Sequence, residues 1–362
     1  MFTIVRDSTF DGMYDFKNNA MQIFLNHFIN KTNLECLFWF PQEFISKPFN
    51  LYNPLEKHKD MVELENLFFQ NQIKMSVLYG GMDGCDVYEK LKTYNIPNLE
   101  FLYWPTFLLH YTKYNMEQKY GRSIEDINVG REFSNLFLFL NNKPKKHRGM
   151  ILDLLVKNNI LDKGLFSWRE TTNWWSEDFK FKYWEEKIVD LDVDQQQWYR
   201  YENYFLTDKI LNSECLINII GESIHFNDSL FITEKTYKSI LTSQPFICVG
   251  SQYQNLSLKL LGFELFDEIF DYTFDTDLSL ENRVNGAVNN ILSIVNQDYN
   301  LIYPKIKSKL EHNKNRALQL LKSDIFIPNK LKEYYFIHKD VFDKNINQGL
   351  IPKYFHNIMG TP

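Results

Sequence analysis

Two stretches of the chain put cations where a helix least accepts them. "LFLFLNNKPKKHRGMILDLLVKNN" (136–159) reads as strand, turn and helix, with Pro144 at the first helical position, where its missing N–H costs nothing. Lys143 precedes that start, and Lys145, Lys146, His147 and Arg148 fill the first turn. In "FITEKTYKSILTSQPFICVG" (231–250), Thr233 reads as an N-cap, followed in the first turn by Glu234 and Lys235. A helix N-terminus carries roughly half a positive charge, and an unanswered cation there costs about 0.3–1 kcal/mol. Solvent can screen such a cation. Alternatively a bound anion answers the dipole, the free N–H groups and the cations together.

Both helices follow apparent strands of one sheet, and ligands of open α/β sheets bind outside the carboxyl ends of strands. Lys145, Arg148 and Lys235 are therefore expected to converge on one anion. A pyrophosphate suits them, because arginine grips phosphate oxygens in pairs and lysine acts as a point charge. The chain has neither GxGxxG nor GxxxxGK[ST], so cationic side chains would replace a glycine-rich phosphate loop. Glu222 and Glu234 flank the region, where carboxylates would bind ribose or sugar hydroxyls. The plainer readings are an exposed loop residue for Glu222 and a simple helix-start carboxylate for Glu234.

The elements that must position these groups alternate along the chain. "ECLFWF" (35–40), "KMSVLY" (74–79) and "LEFLYW" (99–104) read as buried strands, with helical patterns at 16–30, 60–72, 84–94 and 106–119. After a polar hinge at 119–132 come strands at 135–141, 164–168, 215–220, 245–250 and 263–266. Helices at 144–158, 233–242, 252–261, 280–297 and 301–323 accompany them. Residues 169–212 read as an irregular insertion. This predicts an α/β protein of two Rossmann-like domains with parallel sheets facing a central cleft. The N-terminal acceptor domain spans 1–125 and the C-terminal donor domain 133–324; a tail, 325–362, packs back toward the first.

Bulk properties agree with a globular chain: 362 residues, 44% apolar, 24% charged, net charge −6. The acidic balance argues against a protein that coats nucleic acid, so a nucleic-acid partner is not expected. Cys36, Cys85, Cys215 and Cys248 have no CxxC spacing and read as reduced, mostly buried thiols. With no signal-like N-terminus and no membrane-length apolar run, a cytoplasmic protein is expected. Oligomeric state is open.

The segment "LINIIGESIHFNDSLFITEKTYKSILTSQPFICVG", with "NLFLFLNNKPKKHRGMILDLLVKN" upstream, resembles the donor-binding half of the α1,3/1,4-fucosyltransferase family. The resemblance covers roughly 135–275, and Gly221-Glu222-Ser223 stands where that family carries Phe-Glu-Asn. It implies a GT-B glycosyltransferase with inverting, metal-independent transfer from a nucleotide sugar such as a GDP-sugar, with no further cofactor. It also implies that Arg148 and Lys235 hold the diphosphate, while Glu222 and Glu234 contact sugar and ribose. The acceptor would be a hydroxyl, as on a glycan.

An inverting transferase needs a base for the acceptor hydroxyl. Glu43, after "CLFWFPQ", and Asp83, after "SVLYGGM", are the candidates; His110 is a third. "VDLDVDQ", with Asp190, Asp192 and Asp194, offers a competing metal site or a plain acidic loop. Two further alternatives are transfer to modified DNA bases and a nucleotide-sugar- or phosphate-binding protein without turnover.

Overall fold

A computed structural model describes residues 2–5, 30–40, 66–82, 98–121, 123–126, 131–169, 179–189, 191, 214–223, 225, 230–349 and 351–360. The expected helix at 84–94 and all but residue 30 of the one at 16–30 lie outside these residues, as do Glu43, Asp83, Cys85, Asp190, Asp192 and Asp194. By its packing the chain divides into two units, Met1–Phe107 with Ser323–Pro362, and Leu108–Lys322. The boundary precedes the expected hinge, so the helix Phe107–Tyr120 and the turn Ile124–Asp126 fall with the second unit from Leu108 onward.

The first unit is built on β1 (Phe2–Val5), β2 (Glu35–Phe40), β3 (Lys74–Tyr79) and β4 (Leu99–Tyr103), all parallel, in the order β1-β2-β3-β4. A parallel strand covered on both faces reads as a continuous apolar run rather than an alternating one. "VLY" and "CLFW" behave so, and Cys36, Leu37, Val77, Leu78 and Tyr79 are buried. β1 was not legible as a strand, being only four residues long beside a polar run.

The second unit holds α1 (Phe107–Tyr120), β5 (Asn135–Asn141), α2 (Lys146–Lys157), β6 (Gly164–Trp168), β7 (Cys215–Gly221), α3 (Glu234–Leu241), β8 (Phe246–Val249), α4 (Leu280–Ile294) and α5 (Tyr299–Lys322). Its parallel sheet runs β6-β5-β7-β8. α2 therefore follows β5, and α3 lies between the neighbouring strands β7 and β8. α2 stops at Asn158, where Asn159 takes the left-handed conformation at φ 54°.

One expected strand does not form. At 263–266, "FELF", the Glu264 N–H donates to Asn313 Oδ1 at 2.7 Å, and Asn313 Nδ2 donates back to the Glu264 carbonyl at 2.8 Å. A side chain of α5 thus takes the hydrogen bonds a neighbouring strand would have used. Phe263, Leu265 and Phe266 are buried all the same, which accounts for the apolar signal. The expected helix at 252–261 is a 3-10 helix over Leu256–Leu261.

The C-terminal segment supplies α6 (Asn329–Ile337), α7 (Lys339–Asn347) and α8 (Phe355–Met359) to the first unit. Phe2 stacks on His338 with ring centroids 4.0 Å apart. The Tyr334 hydroxyl lies 2.8 Å from Ser76 Oγ on β3 and donates to Glu35 on β2 at 3.2 Å. Lys330 pairs with Glu100 on β4 at 2.6 Å. Cys36, Cys215 and Cys248 are free and buried; burial pushes Cys36 and Cys215 up to about 12. Inert thiols are what such burial produces.

Candidate functional site

The basic turn of α2 is answered from inside the protein. Lys145 is the N-cap, yet its side chain caps nothing locally; its Nζ donates to the Ser223 carbonyl at 2.5 Å. His147 Nε2 donates to the Glu222 carbonyl at 2.9 Å. Arg148, 3% exposed, donates from Nε to the Gly221 carbonyl at 3.0 Å, from one terminal nitrogen to Lys143 at 2.9 Å, and from the other to Glu222 at 3.3 Å. Three consecutive carbonyls at the carboxyl end of β7 thus receive donors from one helical turn. Strand-end carbonyls are partial negative charges, and they offset the cations in the way an anion would.

Gly221 is fixed by this arrangement. A β-carbon there would stand 2.5 Å from Arg148 Cγ, closer than packed atoms approach. The glycine that departs from the fucosyltransferase-like pattern is thus the space the arginine occupies.

The start of α3 is organised by Glu222, which is 0% exposed. Its carboxylate accepts from Thr233 Oγ1 at 2.5 Å, Thr236 Oγ1 at 2.7 Å, Thr233 N at 3.3 Å and Ser223 N at 3.3 Å. A carboxylate under a helix N-terminus is favoured by the dipole and by the hydrogen bonds. Glu222 is not an exposed loop residue; its carboxylate positions the Thr233 cap and the first turn of α3. Thr233 Oγ1 caps by accepting from the Lys235 N–H at 3.4 Å.

Lys235 Nζ lies 2.7 Å from Glu234 Oε1, 3.3 Å from Ser223 Oγ and 3.3 Å from Thr233 Oγ1. The pair is 18% and 15% exposed in its side chains. Burial presses the Glu234 pKa upward, but the charge and hydrogen bond of Lys235, aided by the Glu234 backbone and by Arg148, hold it below the usual carboxylate range. Lys145 and Lys235 therefore reach the same residue, one its carbonyl and the other its hydroxyl.

Two further groups at this edge were not singled out as site residues from the sequence. The ring of His147 lies 4.7 Å from that of His225, and both are buried. Burial first, then the neighbouring positive groups, hold both neutral: His147 well below its ordinary value and His225 at about 3. Arg283 of α4 donates to the His225 carbonyl at 2.9 Å and to Gly250 at 3.2 Å, bracing the turns after β7 and β8. The basic turn displayed His147; nothing in its helical pattern distinguished Arg283. His110 on α1 is also buried, and burial pulls it down to about 4.

A cavity of 780 Å³, lined by Asp267, Asp271, Tyr272, Asn289, Asn290 and Ser293 among others, shares no residue with this cluster. Among the described residues no group of three His, Cys, Asp or Glu side chains is placed to hold a metal ion. None of the described helices is long and apolar enough to cross a membrane.

No family model matches the chain, and no curated protein matches it. Two solved structures are similar to it. One is the DNA-modifying enzyme β-glucosyltransferase, in the presence and absence of uridine diphosphoglucose, at 10% identity over 85% of this chain and 74% of that one, TM-score 0.40. The other is an aspartate-to-alanine mutant of T4 phage BGT in complex with UDP-glucose, at 11% identity over 95% of this chain and 82% of that one, TM-score 0.39.

Proposed function

We propose that the carboxyl edge of β5, β7 and β8 binds the diphosphate of a nucleotide sugar and that the chain is a glycosyltransferase. The observation that carries this is the meeting of Lys145 and Lys235 at Ser223, between the N-termini of α2 and α3. Two ammonium groups and two helix dipoles aimed at one place form an anion seat. The fucosyltransferase-like pattern over 135–275 supports a nucleotide sugar as the anion, a GT-B arrangement, and inverting transfer without a metal.

In this reading the acceptor hydroxyl oxygen attacks the anomeric carbon as the bond from that carbon to the phosphate oxygen breaks. The diphosphate leaves with the bonding electrons, and Lys145 and Lys235 stabilise its charge. Arg148 adds charge from behind, its donors already engaged by carbonyls, and Glu222 holds the α3 turn in place. Glu234 meets ribose or sugar hydroxyls. A base takes the acceptor proton, for which the sequence offers Glu43 and Asp83. A glycan is the proposed acceptor.

A thermal-shift screen with GDP, UDP, CDP and dTDP tests the donor reading, since a ligand that binds only the folded state raises its stability. At least one should raise the melting temperature, and donor turnover should fall on Lys235→Ala. Four flat responses would overturn it. Transfer to a DNA duplex in place of a glycan would replace the proposed acceptor.

A further inference from the structure

Glu234 and Lys235 are neighbours in sequence at the start of a helix. Adjacent helical residues point about 100° apart and do not face each other. Their contact at 2.7 Å is therefore not imposed by the helix. Lys235 folds back over the N-terminus of α3, toward Thr233 Oγ1 and Ser223 Oγ, and meets the carboxylate there. The Glu234 carboxylate thus lies where the helix dipole, Lys235 and the more distant Arg148 all favour negative charge.

We propose that Glu234 is an internal occupant of the anion seat, which a bound diphosphate displaces. This inference rests on the nucleotide-sugar reading above and adds its regulation. In the free protein the carboxylate neutralises Lys235 and keeps the seat closed to stray anions. An entering diphosphate offers more charge and more oxygens, so Lys235 transfers to it. The released carboxylate then accepts hydrogen bonds from hydroxyls of the same ligand. A ligand carrying both diphosphate and hydroxyls satisfies every group. A bare diphosphate leaves a carboxylate unpaired beside it, and the seat discriminates against it.

The test is calorimetric binding of inorganic pyrophosphate, GDP and UDP to the wild type, Glu234→Gln and Glu234→Asp. Removing the competing charge should tighten pyrophosphate binding about five-fold in Glu234→Gln, the size of one modest ion pair. The preference for the nucleoside diphosphate over pyrophosphate should shrink. Glu234→Asp keeps a carboxylate at the helix start with a shorter reach and should fall between the two, which guards against a damaged helix. Unchanged or weaker pyrophosphate binding in Glu234→Gln, with the wild type still binding a nucleoside diphosphate, overturns the displacement and leaves the donor site standing. No binding of pyrophosphate or of any of GDP, UDP, CDP and dTDP to any form overturns the donor site itself, and the displacement with it.

Discussion

Lys145 donates to the carbonyl of Ser223 at 2.5 Å and Lys235 to its hydroxyl at 3.3 Å, so one residue after β7 gathers cations from two helices. Like charges brought to one point repel, and a fold that holds them there needs compensating charge. Here the carbonyls of residues 221–223 and the carboxylates of Glu222 and Glu234 supply it. The site is thus built in two layers: Arg148 and Glu222 buried below, Lys145, Lys235 and Glu234 above.

Arg148 belongs to the lower layer. Arg148→Ala removes the donor to the buried Gly221 carbonyl, one of two donors to the buried Glu222 carbonyl and the donor to the half-buried Lys143 carbonyl, and should cost about 2–5 kcal/mol of stability, read by urea unfolding. Arg148→Lys should recover only part, because an ammonium cannot reproduce the fork of donors. A variant that loses nucleotide binding at unchanged stability would contradict this placement.

Gly221→Ala should destabilise by about 1–3 kcal/mol, since its β-carbon would meet Arg148 Cγ at 2.5 Å. In the Arg148→Ala background the added methyl has room. The two costs should therefore not add, which a double-mutant cycle in urea would show.

Glu222→Ala should lower stability and nucleotide affinity together, because Thr233 and Thr236 lose the acceptor that fixes the start of α3. Loss of affinity with no change in unfolding would instead mark Glu222 as a ligand contact.

The buried histidines predict an acid-sensitive fold. Both have folded pKa values below the unfolded 6.5, so the unfolded chain takes up protons that the folded one refuses. Their contribution is complete above pH 6.5 and is lost as pH falls from there toward about 3, the value for His225. From pH 6.5 to 5 His225 should cost about 2 kcal/mol, and His147 acts in the same direction. Asp275, raised by burial to about 6, works in the opposite sense below that pH. Comparing the pH dependence of unfolding in wild type and His225→Asn removes the aspartate's share. An unchanged slope would contradict the burial of His225.

Much of the second unit was legible because its strands are short, largely buried apolar runs and the start of α3 carries an N-capping threonine; Pro144 lies just before the Lys145 N-cap of α2 rather than at its first helical position. "FELF" misled for a physical reason: burial makes a segment apolar whether a strand or Asn313 takes its backbone bonds. The cation clusters were legible too; that Lys145, His147 and Arg148 would meet the carbonyls at the end of β7 was not. What answers Arg148 was not, since phosphate oxygens and strand-end carbonyls ask the same residue type of the same place. The inward turn of Glu222 was hidden for a similar reason: its donors, Thr233 and Thr236, lie on the next helix, and only the fold brings them under one carboxylate.

The central claim is that Lys145 and Lys235 act on one anion. Calorimetric affinity for the nucleoside diphosphate that raises the melting temperature, measured in wild type, Lys145→Met, Lys235→Met and the double variant, tests it most directly. Each single change should weaken binding about ten-fold, and the pair should depart from additivity by more than about 0.5 kcal/mol, as groups sharing a ligand do. Affinity unaffected by either change, or strictly additive losses, would contradict a shared seat.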